Sequence, residues 1–190
     1  MKKILLLICV FSVFTACKKN VQKSVDEEVK VEETHEEESA SDYSDLPVLV
    51  GKQEITAIQN PPYSDWFLEN YKYMPKSDVL EQLKPALVDK TFEIFMGNWC
   101  SDSRAHVPAL MNILDAVGYD SQNITLITVD EDKTTPENWE EGKNIQFVPT
   151  IILYENGVEK GRIVEYPIQN LEEDLLKIAT GQPYKHAYED

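Results

Sequence analysis

The amino-acid sequence predicts an α/β fold, and three observations carry that expectation. An apolar run, Phe92 to Met96, is short enough for a buried strand and leads into a helix-periodic stretch with Val107, Leu110, Met111, Leu114 and Val117. Asn156-Gly157 stands between two β-rich runs, and both residues accept the positive φ that a tight hairpin turn demands. A final helix is punctuated at both ends, with Asn170 as N-cap, Glu173 three residues later and Gly181 beyond its last turn. With Ile124 to Val129 as a further strand, the order is strand–helix–strand, then hairpin–helix, which is an α/β order.

The chain has 190 residues, with 18 Lys+Arg against 34 Asp+Glu, a formal net charge of −16. That excess of acid excludes a nucleic-acid binder, whose affinity comes from clustered cations displacing phosphate counterions. Three cysteines are present, Cys9, Cys17 and Cys100, too few for a disulfide scaffold and too scattered for a zinc site. No metal site and no cofactor are expected, and no Gly-rich phosphate loop occurs.

The N-terminus opens with Lys2 and Lys3 and continues as an apolar run from Ile4 to Ala16. A bilayer span needs about 20 apolar residues, so this shorter run reads as a secretory signal peptide over residues 1–16. Its end, Phe14-Thr15-Ala16-Cys17, resembles a bacterial lipobox, with Phe14 where Leu is usual. That resemblance implies a diacylglycerol on Cys17 and a lipid anchor in the bacterial cell envelope, on a periplasmic-side or outer membrane. A plain signal peptide cut near Ala16 is the alternative. Cys9 leaves with the signal in either case.

Residues 17–45 follow as the lipidated Cys and an acidic tether. Residues 18–45 hold ten acids and four bases, with no Phe, Trp, Leu or Ile. Such a segment cannot bury enough apolar surface to offset its chain entropy, so it is expected to be disordered, a self-repelling spacer rather than a docking tail. His35, among these acids, is expected to be solvated.

The folded domain is expected over 46–190. Tyr63, Trp66, Phe67 and Tyr71 fall near helical spacing, and Val79, Leu80, Leu83 and Leu87 suggest a second helix bent or interrupted at Pro85. Together they make an N-terminal helical extension. Then come the strand at 92–96, the helix after it, the strand at 124–129, the hairpin from Thr150 to Glu165 and the last helix, with Leu171, Leu175 and Ile178 on one face.

The chemistry concentrates at Gly97-Asn98-Trp99-Cys100-Ser101-Asp102-Ser103-Arg104. This run places Cys100 where a strand turns into a helix, beside unpaired backbone N–H groups that favour a thiolate by about 0.3–1 kcal/mol. The Ser103 hydroxyl is the best-placed further donor, while the Asp102 carboxylate opposes a second negative charge. A lone Cys is also commonly a small buried hydrophobe; the polar flank and helix-start position favour an accessible thiol here. His106, six positions on, lies about 120° around the helix from Cys100 and reads as a surface residue rather than a catalytic base. Asp130-Glu131-Asp132 reads as a solvated loop rather than a calcium site. Trp139 is expected to cover the core rather than to line a groove.

Trp99-Cys100-Ser101-Asp102-Ser103 resembles the thioredoxin W-C-x-x-C motif with its second Cys replaced by Ser103. Pro108 stands where that family carries a helix proline, and Ile145-Gln146-Phe147-Val148-Pro149-Thr150 resembles its cis-proline stretch. The likeness covers about residues 76–181 and is closest to the TlpA-like, envelope-facing branch. It implies a central mixed sheet flanked by helices, a cis peptide before Pro149 facing Cys100, and a polypeptide paired with the Val148 backbone. An ordinary trans proline opening a strand is the alternative for Pro149.

Trp99, Val148 and Pro149 would then bind substrate, with Cys100 and Ser103 as the catalytic pair. Ser103 cannot close a disulfide, and Ile94 stands where the family often buries a proton-accepting Asp, so both parts of the resolving apparatus are absent together.

Two functions follow. In one, Cys100 carries out monothiol thiol–disulfide exchange, of the isomerase or mixed-disulfide reductase type, contributing to cell redox homeostasis. Its partners are disulfide-containing or thiol-bearing envelope proteins and an external thiol reductant. In the other, the groove beside Pro149 holds an extended polypeptide and Cys100 takes no part.

Overall fold

A computed structural model of the protein describes residues 43–189. The signal peptide, Cys9, Cys17, His35 and most of the acidic tether lie outside them.

The elements in order are strand β1 (Gly51–Gln53), helices α1 (Thr56–Gln59), α2 (Ser64–Asn70) and α3 (Ser77–Ala86), strand β2 (Lys90–Met96), helix α4 (Ser101–Val117), strands β3 (Ile124–Thr128), β4 (Thr150–Glu155) and β5 (Val158–Val164), and helix α5 (Leu171–Thr180). The five strands form one mixed sheet in the order β1-β3-β2-β4-β5. β2 and β3 are parallel, as expected of strands joined through a helix, and β1–β3, β2–β4 and β4–β5 are antiparallel. The helical extension is present as α2 and α3, with a further short helix α1 before them and β1 ahead of all three. Three residues without strict alternation carry too little pattern to mark a strand, and pairing with β3 alone makes β1 one.

Local chemistry sets the boundaries. Pro85 does not interrupt α3 in mid-course; the helix runs one residue past it and closes with the Leu87 N–H on Leu83 and Pro85 carbonyls. Near a helix end the missing proline N–H removes only one bond of the last turn. Asn156 and Gly157 take φ of 52° and 75°, making the hairpin turn. At α5 the Asn170 side chain accepts the Glu173 N–H at 2.9 Å, and Gly181 takes φ 71° at the end.

The sheet has two unlike faces. Phe92, Ile94 and Met96 of β2, with Leu126, Ile151, Leu153 and Ile163, pack into the main core with residues of all five helices, among them Ile58, Trp66, Leu83, Leu110 and Leu175. Each such side chain contributes about 1.5–3 kcal/mol on burial. The alternate residues, Phe95, Ile127, Val129, Val148 and Ile152, make a smaller cluster on the other face, joined by Trp99, Cys100, Ile145 and Tyr154.

Among the described residues no helix covers that second face; the irregular segment between β3 and β4 does, held by side chains. Asp130 accepts both the N–H and the hydroxyl of Thr134 at 2.8 Å, which holds its carboxyl below the usual range. The Thr135 hydroxyl donates to Glu140 at 2.7 Å. Lys143 pairs with Glu93 at 2.6 Å, and Arg162 donates to the Lys143 carbonyl at 2.7 Å. Glu93 thus points away from the helices, opposite to Ile94, as strand alternation requires. Trp139 does not cover the core: it is exposed, with the Lys52 ammonium 5.8 Å from its ring centroid. Its neighbours are a polar loop, so the sheet's second face is closed without it.

Candidate active site

Cys100 sits at the carboxyl end of β2, the edge at which parallel strands open a crevice. Its backbone is extended, φ −83° and ψ 128°, and it forms the N-cap of α4, with its carbonyl accepting the Arg104 N–H at 3.1 Å. The side chain makes no capping bond. The half-buried thiol instead donates to the Val148 carbonyl at 3.2 Å.

The turn leading to it is tightly fixed. Cys100 N–H donates to the Gly97 carbonyl at 3.0 Å. The Trp99 indole folds back over Gly97, so close that a Cβ there would meet the ring at 2.4 Å, and its N–H donates to the Val129 carbonyl at 3.0 Å. Lys133 lies 5.6 Å from that ring. Asn98 is buried and holds the incoming chain from both sides: it accepts the Leu49 N–H at 2.8 Å and donates to the Pro47 carbonyl at 2.9 Å. Arg104 reaches back to the carbonyls of Asn98 and Trp99 at 3.0 and 2.9 Å, beneath the Tyr43 ring.

Ser103 is wholly buried, and its hydroxyl accepts the Gly97 N–H at 3.2 Å. The expected bond from Ser103 to Cys100 is therefore replaced by one that braces the turn. The reason is geometric: Cys100 lies outside the helix in extended backbone, so helical i, i+3 adjacency does not aim the two side chains at each other.

Facing Cys100 is Val148-Pro149, joined by a cis peptide bond, as the family resemblance implies. The loop is pinned by the Thr150 hydroxyl on the Phe147 carbonyl at 2.7 Å and by the Glu165 N–H on the Pro149 carbonyl at 2.8 Å. Trp99, Cys100, Val148 and Pro149 are thus brought together, with Ser103 underneath; Cys17 lies outside the described residues.

Two titratable groups on elements that carry the site have shifted pKa values. Glu165, with φ 64°, has its carboxyl pushed up by burial and by the Asp102 charge. His106 is half-buried rather than simply on the surface, and burial lowers its pKa against an opposing pull from Asp102.

Several contributors had no signal in the sequence. Asn98 and Gly97 were visible only as members of the motif, since nothing local says that one is buried or the other overlain by an indole. Glu165 and the C-terminal Tyr188, whose ring stacks on Phe147 at 4.0 Å between centroids, reach the site only through tertiary contacts. A cleft of about 870 Å³ lies elsewhere, between Lys84, Val88, Tyr119 and Asn156, near the start of β2. Among the described residues no group of three His, Cys, Asp or Glu could hold a metal ion, and no helix is long and apolar enough to cross a membrane.

The thioredoxin family model matches residues 71–178. No curated protein matches. Among solved structures, a Pseudomonas aeruginosa protein of unknown function is similar at 16% identity and a TM-score of 0.44, over 62% of this chain and 81% of its own. An HIV epitope-scaffold is similar at 15% identity and a TM-score of 0.44, over 63% of this chain and 83% of its own.

Proposed function

This chain belongs to the thioredoxin family, and from that premise we propose that it exchanges thiols and disulfides through Cys100 alone. The observation that carries the proposal is the placement of that thiol: half-buried at the N-cap of α4, 3.2 Å from the carbonyl of Val148, with no other cysteine among the described residues. Ser103 occupies the position from which a second thiol would act, and its hydroxyl is committed to the turn.

The exchange would run in two balanced steps. The Cys100 thiolate, its proton lost to solvent, attacks one sulfur of a substrate disulfide R–S–S–R′; the Cys100–S–S–R bond forms, and R′–S⁻ leaves and takes up a proton. An external thiolate R″–S⁻ then attacks the R sulfur, releasing R–S–S–R″ and restoring the Cys100 thiolate. Each step conserves the number of disulfides. Isomerisation, or removal of a thiol adduct, therefore suits this chain better than net reduction. A polypeptide substrate would pair with the Val148 backbone beside Pro149 and rest against Trp99. With lipid on Cys17, the substrates would be disulfide-containing or thiol-bearing proteins of the bacterial cell envelope.

The test is trapping. Cells expressing the full chain are quenched in acid with an alkylating agent, and mixed disulfides on Cys100 are identified by mass spectrometry. Recovery of polypeptides that vanish on Cys100→Ala supports exchange. Partners retained undiminished by Cys100→Ala would instead mean a binding module in which the thiol takes no part. In the same preparation, [³H]palmitate incorporation lost on Cys17→Ala tests the anchor.

A further inference from the structure

The segment after α5 does not leave the domain but turns back to the site. Tyr184 is half-buried against the main core, with its hydroxyl 3.3 Å from Asp174, and this fixes the start of the strap. At its tip the Tyr188 ring stacks on Phe147 with centroids 4.0 Å apart and planes 12° from parallel, and it meets Tyr166 edge-on at 6.3 Å. The Tyr188 hydroxyl donates to the Glu165 carboxylate.

These contacts are not scattered. Phe147 is the residue immediately before Val148, and Glu165 is the residue whose N–H holds the Pro149 carbonyl. Tyr188 therefore bridges the two backbone segments that frame the site where a polypeptide backbone would pair. The thiol keeps its own hydrogen bond, to the Val148 carbonyl at 3.2 Å, and packs with Trp99 on the second-face cluster.

We propose that the C-terminal strap is a gate, latched by the Tyr188–Phe147 stack, that admits small reagents to Cys100 but must swing away before an extended polypeptide can seat on Val148. This rests on the reading above only in taking Val148 as the polypeptide's place; it does not require that exchange follow. The latch is built to open. Tyr188 is 43% exposed although stacked, and within the tip its N–H donates to His186 Nδ1 at 3.2 Å and the Glu189 N–H to the His186 carbonyl at 3.1 Å.

The experiment compares two alkylating probes on the full-length protein: N-ethylmaleimide, and a neutral ten-residue peptide with a maleimide at its centre. Modification is followed at the Cys100 peptide by mass mapping. In Tyr188→Ala, and in the chain ended after Ala187, the peptide probe is expected to react about fivefold faster, the scale of one lost aromatic pair. N-ethylmaleimide should stay within twofold of the wild type. Tyr188→Phe keeps the stack but loses the Glu165 bond, so its peptide-probe rate should lie between the wild type and Tyr188→Ala while N-ethylmaleimide stays within twofold; a rate equal to that of Tyr188→Ala would take the latch away from the stack and overturn the gate. Equal acceleration of both probes would show general loosening and overturn the gate. An unchanged or slower peptide probe would make Tyr188 inert or part of the binding platform, and would overturn it as well. Because both probes report access, a failure to trap mixed disulfides in cells would defeat the exchange reading without touching this one.

Discussion

Replacing Gly97 by Ala is a demanding test of how the site is built. Gly97 does not take a positive φ, so alanine meets no backbone penalty there. The obstacle is the Trp99 indole, whose Cε2, Nε1 and Cζ2 would lie 2.4, 2.6 and 2.7 Å from the new Cβ, against about 3.5–4.0 Å for a comfortable contact. A rigid ring cannot yield by more than an ångström in place, so it must leave. Leaving breaks the 3.0 Å bond to the Val129 carbonyl, about 0.5–1.5 kcal/mol, and the contact with Lys133, about 0.5–1 kcal/mol. The half-buried ring also loses its cover, so the whole effect comes to roughly 2–4 kcal/mol.

The assay is a double-mutant cycle by urea unfolding. With Trp99→Ala in the background the clash is gone, and Gly97→Ala should be neutral or stabilising by up to about 1 kcal/mol through the unfolded chain. The coupling between the two positions is then nearly the whole effect. A loss under about 1 kcal/mol in the wild-type background would refute the reasoning, and so would an equal loss in both backgrounds.

Asn98→Ala should cost about 2–4 kcal/mol, since it leaves both the Leu49 N–H and the Pro47 carbonyl without their partner; faster hydrogen exchange at Leu49 would localise the loss. Ser103→Ala should cost about 1–2 kcal/mol by orphaning the Gly97 N–H, read by the same denaturant titration. Ser103→Cys should raise dithiol-driven reduction of a protein disulfide by restoring a second thiol, and no gain in turnover would mean the groove is incompetent for net reduction. The lowered pKa of His106 means that the unfolded chain binds more protons between that pKa and 6.5, so its contribution is full above 6.5 and is lost as pH falls. Urea midpoints at pH 7.5 and 5.5 should therefore fall more for the wild type than for His106→Gln. Glu165, with its raised pKa, acts in the opposite sense and cancels in that comparison.

What the sequence made legible follows the range of the interactions concerned. The hairpin turn at Asn156-Gly157 and the caps at Asn170 and Gly181 depend on backbone chemistry within a few residues, and each was readable in place. The strand at β2 announced itself by its apolar run, and Cys100 by the turn into α4. Features set by distant partners left no local trace: β1 exists through β3, Trp139 is exposed because a polar loop carries it, and His106 is half-buried because of what packs around α4. Ser103 is the instructive case. Its spacing from Cys100 suggested a hydrogen bond, but the cap geometry sent the thiol to Val148 and left the hydroxyl to the Gly97 N–H.

The unequal covering of the sheet has a consequence for how the molecule breathes. On the helical side, the sheet is uncovered only if a packed core of several elements opens together, so exchange in the helices that pack there should approach the global unfolding free energy. On the other side, the segment from 130 to 148 is closed by separate clasps, Asp130 on Thr134, Glu140 on Thr135, Lys143 on Glu93, each of which can release without the rest. That segment runs straight into Val148 and Pro149. The wall of the site that carries Val148 is thus reached by a segment held by separate side-chain clasps, while the turn that carries Cys100 is fixed by Asn98, Trp99 and Ser103 against the core.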